Sequence, residues 1–311
     1  MIRIAGLALL LSLLPVAMAQ SPAIPRTSDG HPDFQGIWGS NFVPGMIERL
    51  PGATALVVGD EEARRLADAF WVKRFENPLY DPHENLGMGR TLSRVNGEWR
   101  SSLITQPADG KAPLTEAGRK LVSDERAMTS SAVSESYETR PWKERCITGP
   151  GGVPLIAMPT DNLKQIVQTP DHLVIYTETD VGEARVIGIA APHRSPVLVS
   201  HLGDSVAKWE GDDLVIETTG TRKEQVLRQG TLVVRAEARV VERLSFISPD
   251  EVLYRFTIID PAVYDRPWSA EYVFVRTKAP MFEVACHEGN YSLSGILLGA
   301  RVMERRAAAK K

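Results

Sequence analysis

The stretch "LGDSVAKWEGDDLVIETT", Leu202 to Thr219, decides the fold. Within it, "KWEGDDLVIE" reads as two strands joined by a tight connection, because Glu210, Gly211, Asp212 and Asp213 are residue types that reverse a chain in a few positions. The same signature repeats on both sides. Upstream lie "QIVQTPDHLVIYTE" and "EARVIGIA"; downstream lie "TLVVRAEARVVERLSFI", "EVLYRFTII" and "AEYVFVRT", with "ISPDEVL" as a second hairpin. No helical crossover separates these runs, which argues against a parallel α/β sheet. The expected class is mainly β: an antiparallel meander closed as a lipocalin-like barrel, or folded as a sandwich.

The chain before Lys164 reads differently. From Gln20 to Gly59 it is rich in Pro, Gly and Ser, and "TSDGHPDFQGIWGS" reads as turns that deliver Trp38 into a core. Asp60 then caps "EEARRLADAFWVKRF", whose Ala63, Leu66, Ala67, Phe70 and Trp71 recur at helical spacing, and Asn77-Pro78 ends the helix. A second short helix follows Thr115, with Leu121 and Val122 on its apolar side, and "EWRSSLITQPADGKAP" between the two reads as a strand leaving into a turn. A last helix, Ser292 to Arg306, is expected to pack back on the sheet through Leu293, Ile296, Leu297 and Val302. The expected organisation is therefore a signal peptide at 1–19, an extended N-terminal arm with two short helices at 20–130, and a β-barrel-like domain with a C-terminal helix at 131–311.

The signal peptide rests on Arg3, the apolar run Ile4 to Val16 and the small-x-small pattern Ala17-Met18-Ala19. Its removal leaves 292 of 311 residues with a net charge near −4. No later segment reaches the roughly 18 consecutive apolar residues of a span, and no basic excess invites nucleic acid. A soluble protein, periplasmic or secreted, is expected. In that oxidising setting the two cysteines, Cys146 and Cys286, are most simply read as one disulfide, which would bring Glu144 and Arg145 beside His287 and Glu288.

Chemistry concentrates in "FEVACHEGNYSLSG", Phe282 to Gly295, where Cys286 to Tyr291 carry a thiol, an imidazole, a carboxylate, an amide and a phenol. His287 and Glu288, read at a strand end, are candidate proton-transfer groups; Asn290 as a helix cap, with Glu288 complementing the dipole, is the competing account. On "ARVVERLSFI", alternation puts Ala238, Val240, Glu242, Leu244 and Phe246 on one face, so Glu242 is a carboxylate in apolar company and a candidate acid or base. Its plainer role is as partner to an arginine such as Arg255 or Arg276. Asp204 is a further candidate acid or base, with Ser205 beside it a turn residue. A metal would draw on His193, His201 and His287, as a zinc or copper site, but no HxH, HExxH or CxxC spacing supports one, and no cofactor is expected. There is no GxSxG elbow, a thiol mechanism would need an unpaired cysteine, and "LGMGRTL" lacks nucleotide-binding spacing.

Nearly end to end, the chain resembles a family of exported, β-rich bacterial proteins marked by WEGDxLVxET and ACHEGNY. The resemblance is carried by "DGHPDFQGIW", "RPWKERC", "QIVQTPDHLVI", "APHRSP", "LGDSVAKWEGDDLVIETT", "VVERLSF", "DPAVYDRPW" and "FEVACHEGNY". It implies that Arg145, Asn162, Arg185, His193, Asp204, Trp209, Glu242, Trp268, His287, Glu288, Asn290 and Tyr291 belong to the shared pattern; His201 departs from it. Two functions follow as expectations. The first is a metal-independent lyase, isomerase or hydrolase acting on a small organic molecule by acid/base chemistry. There His287, Glu288, Glu242 and Asp204 are catalytic, and Arg145, Asn162, Tyr291, His193 and Trp268 hold the substrate. The second is a noncatalytic, lipocalin-like carrier of a small molecule; the oligomeric state is left open.

Overall fold

The computed structural model describes residues 23–40, 42–43, 46–76, 89–128, 134–147, 152–156, 163–178, 183–194, 199–222, 227–283 and 285–309. The expected signal peptide and Asn162 lie outside these residues. In chain order the strands are β1 (Gly36–Gly39), β2 (Val57–Val58), β3 (Ser93–Val95), β4 (Glu98–Arg100), β5 (Ile104–Gln106), β6 (Lys164–Gln168), β7 (His172–Thr177) and β8 (Glu183–Ile189). They continue as β9 (Asp204–Glu210), β10 (Asp213–Thr219), β11 (Leu227–Gln229), β12 (Leu232–Val233), β13 (Arg239–Ser248), β14 (Glu251–Ile259) and β15 (Trp268–Thr277). The helices are α1 (Asp60–Phe75), α2 (Glu116–Met128) and α3 (Tyr291–Ala308).

Nine strands close a barrel in the order β1-β6-β7-β8-β9-β10-β13-β14-β15, with β15 pairing back to β1. The hairpin at the centre of the sequence reading is present. Glu210 faces Asp213 across Gly211 and Asp212, and Gly211 takes φ +65°, the left-handed region that costs glycine little. Around the ring every pairing is antiparallel except one: β8 meets β9 in parallel, through Gly188 with Val206 and Ile189 with Ala207. The link between them, residues 190–203, is long enough to carry the chain back before it re-enters the sheet, as a parallel connection requires. The barrel is thus mixed, with a short seam at β8–β9.

Alternation fills the interior as read. On β13, Val240, Glu242 and Leu244 are each 0% exposed, and the inward faces of β14 and β15 add Tyr254, Phe256, Trp268, Tyr272 and Phe274. The N-terminal arm does more than deliver Trp38. Its Gly36–Gly39 becomes a wall strand, hydrogen-bonded to β15 on one side and β6 on the other. The residues before it close one end of the barrel: Phe34 stacks on Phe246 at 4.8 Å, His31 stacks on Trp209 at 4.3 Å, and Gln168 holds the Phe34 N–H (2.9 Å) and the Pro32 carbonyl (3.0 Å).

α2 begins as expected, with the Thr115 hydroxyl accepting from Gly118 N–H at 2.9 Å. A Cβ built on Gly118 would lie 2.2 Å from the Val263 carbonyl oxygen, which also accepts from Thr115 N–H at 2.9 Å. Gly118→Ala therefore reverses the usual sign. Helix propensity alone would favour alanine by about 1 kcal/mol, but overpacking against fixed backbone costs about 1–3 kcal/mol. A lower urea midpoint is expected, and a midpoint raised above wild type would refute the close approach.

α3 departs from expectation. None of its residues is buried; it rests on the 3₁₀ turn Trp142–Arg145, and Arg301 donates to the Glu135 (2.7 Å) and Ser134 (3.1 Å) carbonyls. It does not cover the barrel. No described helix is long and apolar enough to cross a membrane.

Candidate functional site

Three groups of polar residues stand out, and the first lies inside the barrel. Arg185 on β8 and Glu242 on β13 both project inward and form a bidentate pair, Nη1 to Oε1 at 3.0 Å and Nη2 to Oε2. The guanidinium also donates to Ser205 (3.0 Å) on β9 and Thr218 (3.1 Å) on β10, and the Tyr254 hydroxyl on β14 donates to Glu242 Oε1 at 2.6 Å. Ser205 and Thr218 complete the ring at 2.8 Å. One cation thus ties together strands on both sides of the two-residue parallel seam. Burial opposes the charge on Arg185, but the Glu242 carboxylate outweighs it and holds the guanidinium above its ordinary value. Burial first, and then the charge of Glu242, pushes the Tyr254 phenol well above its usual value, so it stays a protonated donor.

This placement corrects the expectation for Glu242. Its carboxylate accepts three donors and is 0% exposed, so it serves as the counter-ion of Arg185 and not as an acid or base open to substrate. Arg255 and Arg276 are not its partners: Arg255 pairs with Glu271 at 2.9 Å, and Arg276 lies 4.2 Å over the Trp38 ring. The chain's own Leu155 occupies the space beside the pair. Its N–H donates to the Tyr254 hydroxyl and its carbonyl accepts from the Tyr272 hydroxyl, each at 2.9 Å, with Val153 and Leu155 fully buried. Trp268, expected to touch substrate, is a core residue set edge-on to Phe256 and Tyr264.

The second group is built around the disulfide Cys146–Cys286, which is formed. His287 and Glu288 sit in an exposed turn spanning Cys286–Gly289, because β15 ends at Thr277 and the described residues of "FEVAC" join no strand. Asn290 caps α3, accepting from Leu293 N–H at 3.3 Å, and its amide donates to the Glu144 carbonyl at 2.8 Å. Arg145 places its guanidinium 5.7 Å over the Tyr137 ring, and Tyr291 is 82% exposed. These residues are brought near one another by the bridge. They are not brought to Glu242, which lies buried in the interior.

The third group joins two residues that the sequence reading named separately. Asp204 opens β9, and His193 lies in the link that precedes it. His193 Nδ1 is 2.9 Å from Asp204 Oδ2, which also accepts the Arg194 N–H at 3.0 Å. On the other side of the ring, Nε2 lies 3.5 Å from Glu217 Oε1, and Glu217 is tied to Arg239 at 2.7 Å. Asp204 is nearly buried at 8%, whereas His193 keeps 26% of its side chain exposed. Gly203 sets the entry: its φ is +73°, and a Cβ there would meet the Thr219 carbonyl oxygen at 2.7 Å. An imidazole whose Nδ1–H is taken by a fixed carboxylate presents Nε2 as its working nitrogen.

Among the described residues no group of three or more His, Cys, Asp and Glu side chains is arranged to hold a metal ion, so His193, His201 and His287 form no such cluster. Sequence reasoning did not give Ser205, Thr218, Tyr254, Tyr272 or the buried Lys164 a place in any site. The parity that turned Glu242 inward places each of them inward on its own strand. A scan against protein-family models matches none, and a search of the curated proteins returns no similar chain.

Proposed function

We propose that this chain is an exported enzyme that moves a proton on a small organic molecule, with His193 as the proton-transfer group and Asp204 as the residue that orients it. The observation that carries this reading is the 2.9 Å contact between His193 Nδ1 and an Asp204 carboxylate already anchored by the Arg194 N–H. A base and its orienting group in hydrogen-bond reach is the minimal arrangement for general acid/base catalysis, and His193 Nε2 is a buried nitrogen that makes no hydrogen bond of its own among the described residues. Glu217 Oε1, 3.5 Å from Nε2, places a second carboxylate at the other side of the ring. The disulfide is in keeping with an oxidising, extracytoplasmic compartment. A carrier role has less support, because the interior at the level of Tyr254 and Tyr272 holds Leu155.

The test is untargeted mass spectrometry of a metabolite extract incubated with the purified protein. Masses converted by wild type are expected to be converted at least about 100-fold more slowly by His193→Ala, with Asp204→Asn also impaired and thermal stability checked for both. Equal conversion by His193→Ala, or no converted mass at all, would count against the assignment.

A further inference from the structure

We propose that a cleft between α1 and the small sheet β2–β4–β3 binds a small organic carboxylate with an apolar body. This does not rest on the His193 reading. The cleft has a volume of about 320 Å³, at the small end of ligand sites. Two guanidiniums line it, Arg64 from α1 and Arg90 from the chain before β3, and among the described residues neither has a carboxylate partner. The single acid of the lining, Asp60, is engaged: its Oδ1 accepts the Trp99 indole N–H at 2.7 Å. The wall therefore carries more positive than negative charge, and among the described residues neither cation is neutralised by a carboxylate.

Arg90 is also held in place. Its guanidinium carbon sits 4.0 Å over the Trp71 ring and 5.7 Å from the Phe75 ring. Stacking uses the flat face of the guanidinium and leaves its in-plane N–H groups for an acceptor, the geometry a carboxylate matches. Apart from Thr91 the rest of the lining is apolar: Ala63, Ala67 and Leu92 are each under 5% exposed, and the Trp99 ring completes the floor. Two cations against an apolar floor select an anion that carries hydrocarbon over inorganic phosphate, which has none to bury.

Calorimetric titration of the full chain with acetate, benzoate, phenylacetate and 4-hydroxybenzoate tests the site, with benzamide as the neutral isostere and inorganic phosphate as the bare anion. At least one ring-bearing carboxylate is expected to bind with a Kd of about 1 mM or tighter. Benzamide and phosphate should each bind at least tenfold more weakly than that acid. Arg64→Ala/Arg90→Ala should weaken the acid at least tenfold; both residues are exposed, so losing the Arg90 stack should lower the melting temperature by no more than about 4 °C, which separates lost binding from lost fold. Arg90→Lys, which keeps the charge without the fork, should fall between. Absence of binding by every acid, benzamide or phosphate matching the best acid, or unchanged affinity in the double variant would each overturn the proposal.

Discussion

Glu242→Ala is expected to lower the stability of the protein by about 3–5 kcal/mol, the largest effect expected of a single substitution, because it strands the Arg185 cation in the barrel interior. Arg185 is 2% exposed and Glu242 0%. Nothing else in the described network offers the guanidinium a negative charge; Ser205 and Thr218 offer only hydroxyl oxygens. At about 2–4 °C per kcal/mol for a chain of this size, the melting temperature should fall by roughly 10 °C. The seam makes the effect larger than local packing implies. β8 and β9 share two paired residues, and Arg185 is the side chain that links β8 to β9, β10 and β13 at that level. The double variant Arg185→Met/Glu242→Leu removes both charges with little change of volume and should recover most of the loss, since buried ion pairs often exchange for apolar pairs at small cost. Urea denaturation of wild type, single and double variants decides the matter. A single variant within about 1 kcal/mol of wild type, or a double variant as unstable as the single, would show that the pair does not hold the barrel closed.

Replacing both cysteines by serine is the second large effect. The bridge closes a 140-residue separation, for which the chain-entropy account gives an upper value of about 5 kcal/mol, with about 2–5 expected in practice. The fold indicates how the loss is distributed. The wall strands end with β15 at Thr277, whereas the bridge fastens Cys286 and the unburied α3 to the turn around Cys146. The barrel should therefore stay folded at room temperature, with a lowered denaturation midpoint, while residues 278–309 become open to protease. Limited proteolysis read by mass spectrometry, alongside the midpoint, measures both. A midpoint shifted by less than about 1 kcal/mol, with the tail still protected, would mean that α3 is held by its other contacts alone.

The long strands were legible in the sequence because a period of two sustained over seven to ten residues fits a wall strand with one buried face and fits no helix. β13 shows the rule at work in its buried Val240, Glu242 and Leu244. β1 was not legible. "GIWG" offers two apolar residues between glycines, too few to show a period, and it is a strand because β6 and β15 both bond to it. The partner of Glu242 was within reach: alternation along "EARVIGI" sets Arg185 on the same inward face as Ile187 and Ile189. Arg255 fails the same parity rule, since it alternates with the inward Tyr254 and so faces out. His193 and Asp204 each stand out as residue types, but their meeting was hidden because His193 lies in an irregular link where no period applies. His287 misled for the opposite reason, since a pattern that resembles a strand end continues past the point where neighbouring strands remain to pair with it.

The threading of β1 between β6 and β15 sets an order on biosynthesis. The pairing residue of Ile37 on one side, Thr277, is polymerised 240 positions after it. Until then the nascent chain has a wall with one gap, and Trp38 has lining on one flank only. Closure is thus a long-range event, and a ring that waits on a partner 240 positions downstream forms slowly and leaves its last seam open in the meantime.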